Sequence, residues 1–154
     1  MNIKEMINIY QKMQADGVVL YGGGKEGRLA IEVLEKEGIE VKAIADRERK
    51  KQCGCYQCIS LEELCRFERN AVCIITPFAP LTEVREELSK HYDLVIDNSI
   101  VHWMSYFVPK KENGDINYYW CFPFNHYESP FASEQELKKY DLENQNDALL
   151  GIHL

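Results

Sequence analysis

The chain has 154 residues, enough for one ordinary domain and too few for two of full size. Hydrophobic residues at 45%, aromatics at 11% and charged residues at 28% describe a packed, water-soluble globule, which excludes a disordered or collagen-like chain. With 18 basic against 25 acidic residues the net charge is −7, the wrong sign for drawing affinity from nucleic-acid phosphates, and no apolar run approaches the roughly 18 residues of a membrane-spanning helix. The first residues, Met1-Asn2-Ile3-Lys4-Glu5-Met6, carry an early acid and lack the apolar core of a secretory signal, so a cytoplasmic address is expected. In that reducing setting the six cysteines are expected as thiols rather than disulfides.

In chain order, residues 5–14 place Met6, Ile7, Tyr10 and Met13 at helical spacing, and Asp16-Gly17 ends that helix. Val18-Val19-Leu20-Tyr21 is a short run of strand formers, followed at once by three glycines and a helical segment over 25–37 that closes on Gly38 as a C-terminal glycine cap. A second strand, Val41-Lys42-Ala43-Ile44-Ala45, ends in Asp46 and a charged turn. Ser60-Leu61-Glu62-Glu63 has the Ser-x-x-Glu pattern of a capping box and predicts a short helix over 61–67. Ala71-Val72-Cys73-Ile74-Ile75 is continuously apolar, as a strand buried on both faces must be, and Thr76-Pro77 closes it. Leu81, Val84 and Leu88 then recur at helical spacing before a further strand at Leu94-Val95-Ile96.

Beyond Ser99 the character changes. Residues 101–108 and 118–124 are aromatic-rich and flank a polar turn, the pattern of an edge hairpin or a cover for the sheet. Residues 125–154 read as a linker or extension with a second capping box at Ser133-Glu134-Gln135-Glu136 and a short helix through Leu137 and Tyr140. The apolar end at residues 149–154 reads as a cut within a longer protein. The expected organisation is a domain over 1–124 and an extension over 125–154.

Strands alternating with helices argue for right-handed βαβ units stacked into a parallel sheet. The chemistry concentrates at the first strand-to-helix turn. Gly22-Gly23-Gly24-Lys25-Glu26-Gly27 reads G-x-G-x-x-G: the first glycine permits a tight turn, the second lets backbone approach a pyrophosphate, and the third allows close packing of the helix. The helix N-terminus then favours the anion. Asp46 follows the last glycine by 46 − 27 = 19 residues, at the end of the second strand, where a carboxylate accepts ribose hydroxyls. Asp46 would repel a 2′-phosphate whereas Arg47 and Arg49 would attract one, so NAD and NADP stay open. The expected fold is a Rossmann-like, doubly wound, mainly parallel sheet of order 3-2-1-4-5 with helices on both faces. In that order Thr76-Pro77-Phe78 and Asp97-Asn98 would line the ligand crevice as second-tier candidates, with loop punctuation as the plainer reading.

Two other features invite chemistry. Cys53, Cys55 and Cys58 bunch as zinc ligands do, but only half of a paired-knuckle site is present, so no metal is expected. His91, His102, His126 and His153 are scattered, and neither H-E-x-x-H nor G-x-S-x-G occurs, so no catalytic residue is assigned.

The stretch VVLYGGGKEGRLAIEVLEKEGIEVKAIAD over 18–46, followed by Ile59-Ser60-Leu61-Glu62-Glu63-Leu64, resembles Rossmann-like modules that precede FkbM-type methyltransferase domains and occur in sugar-nucleotide-modifying enzymes. Phe122-Pro123-Phe124-Asn125-His126-Tyr127-Glu128-Ser129-Pro130 looks like the segment joining such a module to the methyltransferase. The departures are Asp46-Arg47 where the family often has Asp-Asn, and the cysteine-rich loop after it. The resemblance implies an accessory nucleotide- or sugar-nucleotide-binding domain at the N-terminus of an S-adenosylmethionine-dependent enzyme, with NAD(P) or a nucleotide sugar as ligand. Two alternatives stand beside it: a fragment of an NAD(P)-dependent oxidoreductase, and a structural module with a vestigial nucleotide site that forms a homodimer.

Overall fold

The computed structural model describes residues 3–104, 107–122 and 127–133. The chain divides into two compact units, one of Tyr10–Val101 and the other of Met1–Ile9 with His102–Leu154.

The elements of the first unit begin with helix α1 (Ile3–Asp16), which crosses the unit boundary. Its apolar positions Met6, Tyr10 and Met13 are buried, and Gly17 ends it at a φ of 78° with its N–H on the Met13 carbonyl, a left-handed cap that glycine adopts freely. Strand β1 (Val18–Tyr21), helix α2 (Lys25–Lys36) and strand β2 (Val41–Ala45) follow, with Gly38 at a φ of 72° closing α2 as its sequence position predicts. The cysteine-rich loop folds into a minimal hairpin of β3 (Gln52–Cys53) and β4 (Tyr56–Gln57). Helix α3 spans Leu61–Leu64 and carries the expected capping box: the Ser60 hydroxyl accepts from the Glu63 N–H, and the Glu63 carboxylate accepts from the Ser60 N–H. Strand β5 (Val72–Ile75), helix α4 (Thr82–His91) and strand β6 (Leu94–Asp97) follow, and helix α5 (Ser99–Met104), which also crosses the unit boundary, completes the series.

Strands β2-β1-β5-β6 form one parallel sheet in that order. β1 and β5 lie at its centre and are buried throughout, which is why their sequences show no polar alternation. Side chains alternate between its faces. Val19, Tyr21, Ala45, Cys73 and Ile75 cluster with Leu64 of α3 and Leu88 of α4, whereas Ile44 faces α2, where its Cδ1 lies 3.2 Å from the place a Gly27 Cβ would occupy. The class is α/β with helices on both faces.

The four strands run β2-β1-β5-β6, with Val72–Ile75 central beside β1; a further strand outside β2, as the order 3-2-1-4-5 would have it, does not appear among the described residues. Outside β2 there is a single parallel bridge, Ala45 with Ile59, held by Asp46 N–H on Ile59 O at 3.0 Å and Ile59 N–H on Ile44 O at 3.0 Å. The hairpin and the capping box leave no length for a strand there, and the edge position is reduced to one residue.

Residues 101–104 also depart from expectation. They belong to α5 and not to a hairpin strand, because Ile100, Val101 and Met104 bury at helical spacing and the Asp97 carboxylate accepts the Ser99 N–H at 2.9 Å. The other unit carries a three-stranded antiparallel sheet of β7 (Phe107–Glu112), β8 (Asp115–Phe122) and β9 (Tyr127–Ser133). The expected hairpin forms there, turning at Asn113-Gly114. Glu134 and Glu136 of the second capping box, the helix through Leu137 and Tyr140, and His126 and His153 lie outside the described residues.

Candidate functional site

Order β2-β1-β5-β6 makes the chain leave β1 in opposite directions, toward β2 and then toward β5. In open α/β sheets such a switch point opens a crevice beyond the strand C-termini. Its two walls are the glycine bend after β1 and the ends of β5 and β6.

Each glycine of the bend answers a different constraint. Gly22 has a φ of 114°, and a Cβ there would overlap the Thr76 hydroxyl and lie 2.5 Å from Pro77 Cδ. Gly27 is buried in α2, and a Cβ there would press on the Gly22 carbonyl. Gly24 is the opposite case. It is the N-cap of α2 in an extended conformation, φ −85° and ψ −153°, with open space where its Cβ would be. This is the glycine that the motif assigns to close approach of a ligand. α2 has no side-chain cap at this end, because Gly24 carries neither the hydroxyl nor the carboxylate that a Ser or Asp N-cap would bring.

Gly23, the variable position of the motif, is glycine for a reason the motif does not contain. Cys58 Sγ lies 2.5 Å from its would-be Cβ. The hairpin delivers that thiol: Cys58 N–H donates to Lys51 O and Lys50 N–H to Cys58 O, both at 2.8 Å. Burial pushes the thiols of Cys53 and Cys58 up, so they are packing groups rather than thiolates. Among the described residues no group of three or more His, Cys, Asp or Glu is arranged to hold a metal.

Asp46 lies where the strand-end acid is expected, and its carboxylate spans two chain segments. Oδ2 accepts the Gly23 N–H at 2.6 Å and Oδ1 accepts the Glu48 N–H at 2.9 Å. Partial burial raises its pKa, but the donated amides of Glu48 and Gly23, with Lys51 and Arg47 nearby, outweigh it and hold the carboxyl below its ordinary range. Gly22 N–H is also spent, on Ala45 O at 2.7 Å. Arg47 is exposed beside this acid, and Lys25 is exposed on the first turn of α2.

On the second wall Thr76 is 1% exposed and binds the bend rather than the crevice. Its N–H donates to Tyr21 O at 2.9 Å, and its hydroxyl lies 2.8 Å from Gly22 O and 3.1 Å from Tyr21 O. Pro77 packs against Gly22 and also lines a cavity of about 200 Å³ with Phe78, Arg85, Asp97, Asn98 and Ser99. Asn98 joins the two walls: its Nδ2 donates to Glu26 Oε2 at 3.1 Å, across 72 residues of sequence. Because a carboxylate only accepts, that bond fixes the amide's orientation and turns Oδ1 away from Glu26. Oδ1 is buried and has no partner among the described residues, an arrangement that costs about 1–3 kcal/mol where nothing donates to it.

The bend therefore brings together Gly22, Gly23, Gly24, Lys25, Glu26 and Gly27 with Asp46, Arg47, Thr76 and Pro77. Sequence reasoning missed Cys58 as the floor beneath Gly23 and Arg85 on the cavity wall. Neither carries a motif; only the hairpin and the register of α4 place them. Comparison with protein-family models, with curated proteins and with solved structures finds no match in any of the three.

Proposed function

We propose that the Tyr10–Val101 unit is a binding module for a ligand built on a nucleoside diphosphate, a nicotinamide dinucleotide or a nucleotide sugar. The observation that carries the reading is the uncapped first turn of α2 beside the open Gly24, with the Asp46 carboxylate at the end of the adjacent strand. A diphosphate accepts from amides of that turn and gains from the helix dipole. Lys25 and Arg47 add positive charge at the mouth. Asp46 has capacity left for a ribose: a carboxylate offers about four lone-pair sites, and two are taken by Gly23 and Glu48. Thr76, Pro77 and Gly27 hold the bend in shape and need not touch the ligand. The resemblance to modules preceding FkbM-type methyltransferase domains extends the reading to an accessory role in an S-adenosylmethionine-dependent enzyme that methylates a hydroxyl acceptor.

Gly24→Asp tests this reading without threatening the fold. An Asp side chain has room there and caps a helix well, yet its charge occupies the anion position. Calorimetric titration with NAD, NADP, UDP-glucose and S-adenosylmethionine is expected to find a diphosphate-containing binder whose affinity falls at least tenfold in Gly24→Asp. Absence of binding by all the diphosphates, or equal binding by the variant, contradicts the proposal.

A further inference from the structure

We infer that the ligand of the glycine bend carries a phosphate ester on its ribose, held by Arg47 and Lys51 beside Asp46. The inference rests on the diphosphate reading and names the ligand class within it. Residues 46–51, Asp-Arg-Glu-Arg-Lys-Lys, carry four cations against two acids in a chain whose net charge is −7, and positions 47–51 are all exposed.

This loop is fastened to the bend at both ends. At its start Asp46 donates its N–H to Ile59 O at 3.0 Å and accepts the Gly23 N–H on Oδ2 at 2.6 Å. At its end Lys50 N–H donates to Cys58 O and Cys58 N–H to Lys51 O, both at 2.8 Å, and Cys58 Sγ lies 2.5 Å from where a Gly23 Cβ would be. Between them Glu48 N–H donates to Asp46 Oδ1 at 2.9 Å, and Lys51 N–H donates to Glu48 O at 3.1 Å. The cations therefore stand on a backbone fixed next to the bend.

Their charges are largely uncommitted. Arg49 is spent, its Nε donating to Glu63 Oε1 at 2.8 Å, where Glu63 is the capping-box acid of α3. Among the described residues Arg47, Lys50 and Lys51 form no salt bridge. Partial burial pushes the Asp46 carboxyl up, but the Glu48 and Gly23 amides, then Lys51 and Arg47, pull it below its ordinary range, so both cations act on this acid. The carboxylate that alone would repel a phosphate has its charge offset on the spot. Free ribose hydroxyls ask for an acceptor, which Asp46 supplies, and gain nothing from two cations beside it. A phosphate ester on one of them brings a charge of about −1.5 to −2 and three acceptor oxygens. One ribose hydroxyl then donates to Asp46 while the phosphate on its neighbour takes the planar fork of Arg47 and the ammonium of Lys51.

The experiment is calorimetric titration of the full chain with two pairs of probes: NADP and NAD, which differ by a 2′-phosphate, and coenzyme A and its dephospho form, which differ by a 3′-phosphate. In at least one pair the phosphorylated member is expected to bind about tenfold or more tightly, and which pair does so assigns the esterified hydroxyl. That ratio is expected to fall about tenfold in the double variant Arg47→Gln, Lys51→Gln, and to shrink as ionic strength rises from about 0.05 to 0.3 M. A control, Lys36→Gln with Lys90→Gln, removes the same charge from the far ends of α2 and α4 and is expected to leave the ratio within about twofold. Equal affinity within both pairs, tighter binding of the unphosphorylated members, a ratio unmoved in the double variant, or one lowered as much by the control overturns the inference. The diphosphate reading stands through each of these results as long as some diphosphate, UDP-glucose included, binds; failure of every diphosphate to bind overturns both.

Discussion

The two walls of the crevice are built on opposite plans. In the glycine bend the corner is tied down: Gly22 donates to Ala45, Gly23 donates to Asp46, and the Thr76 hydroxyl sits on the Gly22 carbonyl. Across the crevice, the ends of β5 and β6 carry a buried amide oxygen, that of Asn98, with no partner among the described residues, and Phe78, whose side chain is largely exposed. The first wall is stiff because backbone meets backbone there and few side chains fit. The second is shaped by side chains and can change without disturbing the sheet.

Substitutions sharpen that contrast, and the largest effects belong to the bend. Gly22→Ala combines a positive φ with overlap on Thr76 and Pro77, and is expected to lower unfolding free energy by about 2–6 kcal/mol in urea titrations. Thr76→Val keeps the shape but strips the hydroxyl from a buried carbonyl, at an expected cost of about 1–3 kcal/mol. If this variant were as stable as the parent, the corner would not be held as described.

Asp46→Asn is expected to cost about 1 kcal/mol near neutral pH, held down because water screens the half-exposed carboxylate. Its pH dependence has a definite sign. The folded carboxyl has a lowered pKa, so its contribution is full above the ordinary aspartate value of 3.8 and is lost as pH falls through the folded value. Parent and variant stabilities should therefore converge below about pH 4; a gap that widens with acid contradicts the assignment. The smallest effect is expected at Gly24→Asp, a gain of about 0.3–1 kcal/mol from the new cap, read as a modest rise in melting temperature.

How much of this was legible in the sequence follows the same division. Gly22 could be read because its positive φ belongs to the turn itself, Gly27 because its Cβ would press on the Gly22 carbonyl one turn back, and Asp46 because strand-to-acid is a local pattern. The second wall depends on which strands become neighbours, and an apolar run such as Val72–Ile75 looks the same whether it pairs with β1 or β2. Asn98 was visible as a strand-end residue, but its bond to Glu26 exists only once β6 has joined the sheet on the far side of β5. Cys58 drew notice as a metal-like cysteine, whereas its place under Gly23 comes from the small hairpin and the lone Ala45–Ile59 bridge. The start of α5 was hidden because six residues rich in strand formers offer little helical period to detect.

The most direct test of the central claim is a backbone amide NMR titration of the chain with UDP-glucose, ADP and NAD. If the opening turn of α2 grips a diphosphate, the amide signals of Gly24, Lys25, Glu26 and Gly27 move progressively and saturate with at least one of these ligands, with the largest changes in the spectrum. A folded protein whose signals from that turn stay fixed at saturating ligand, or move less than those of a distant surface, would contradict the account.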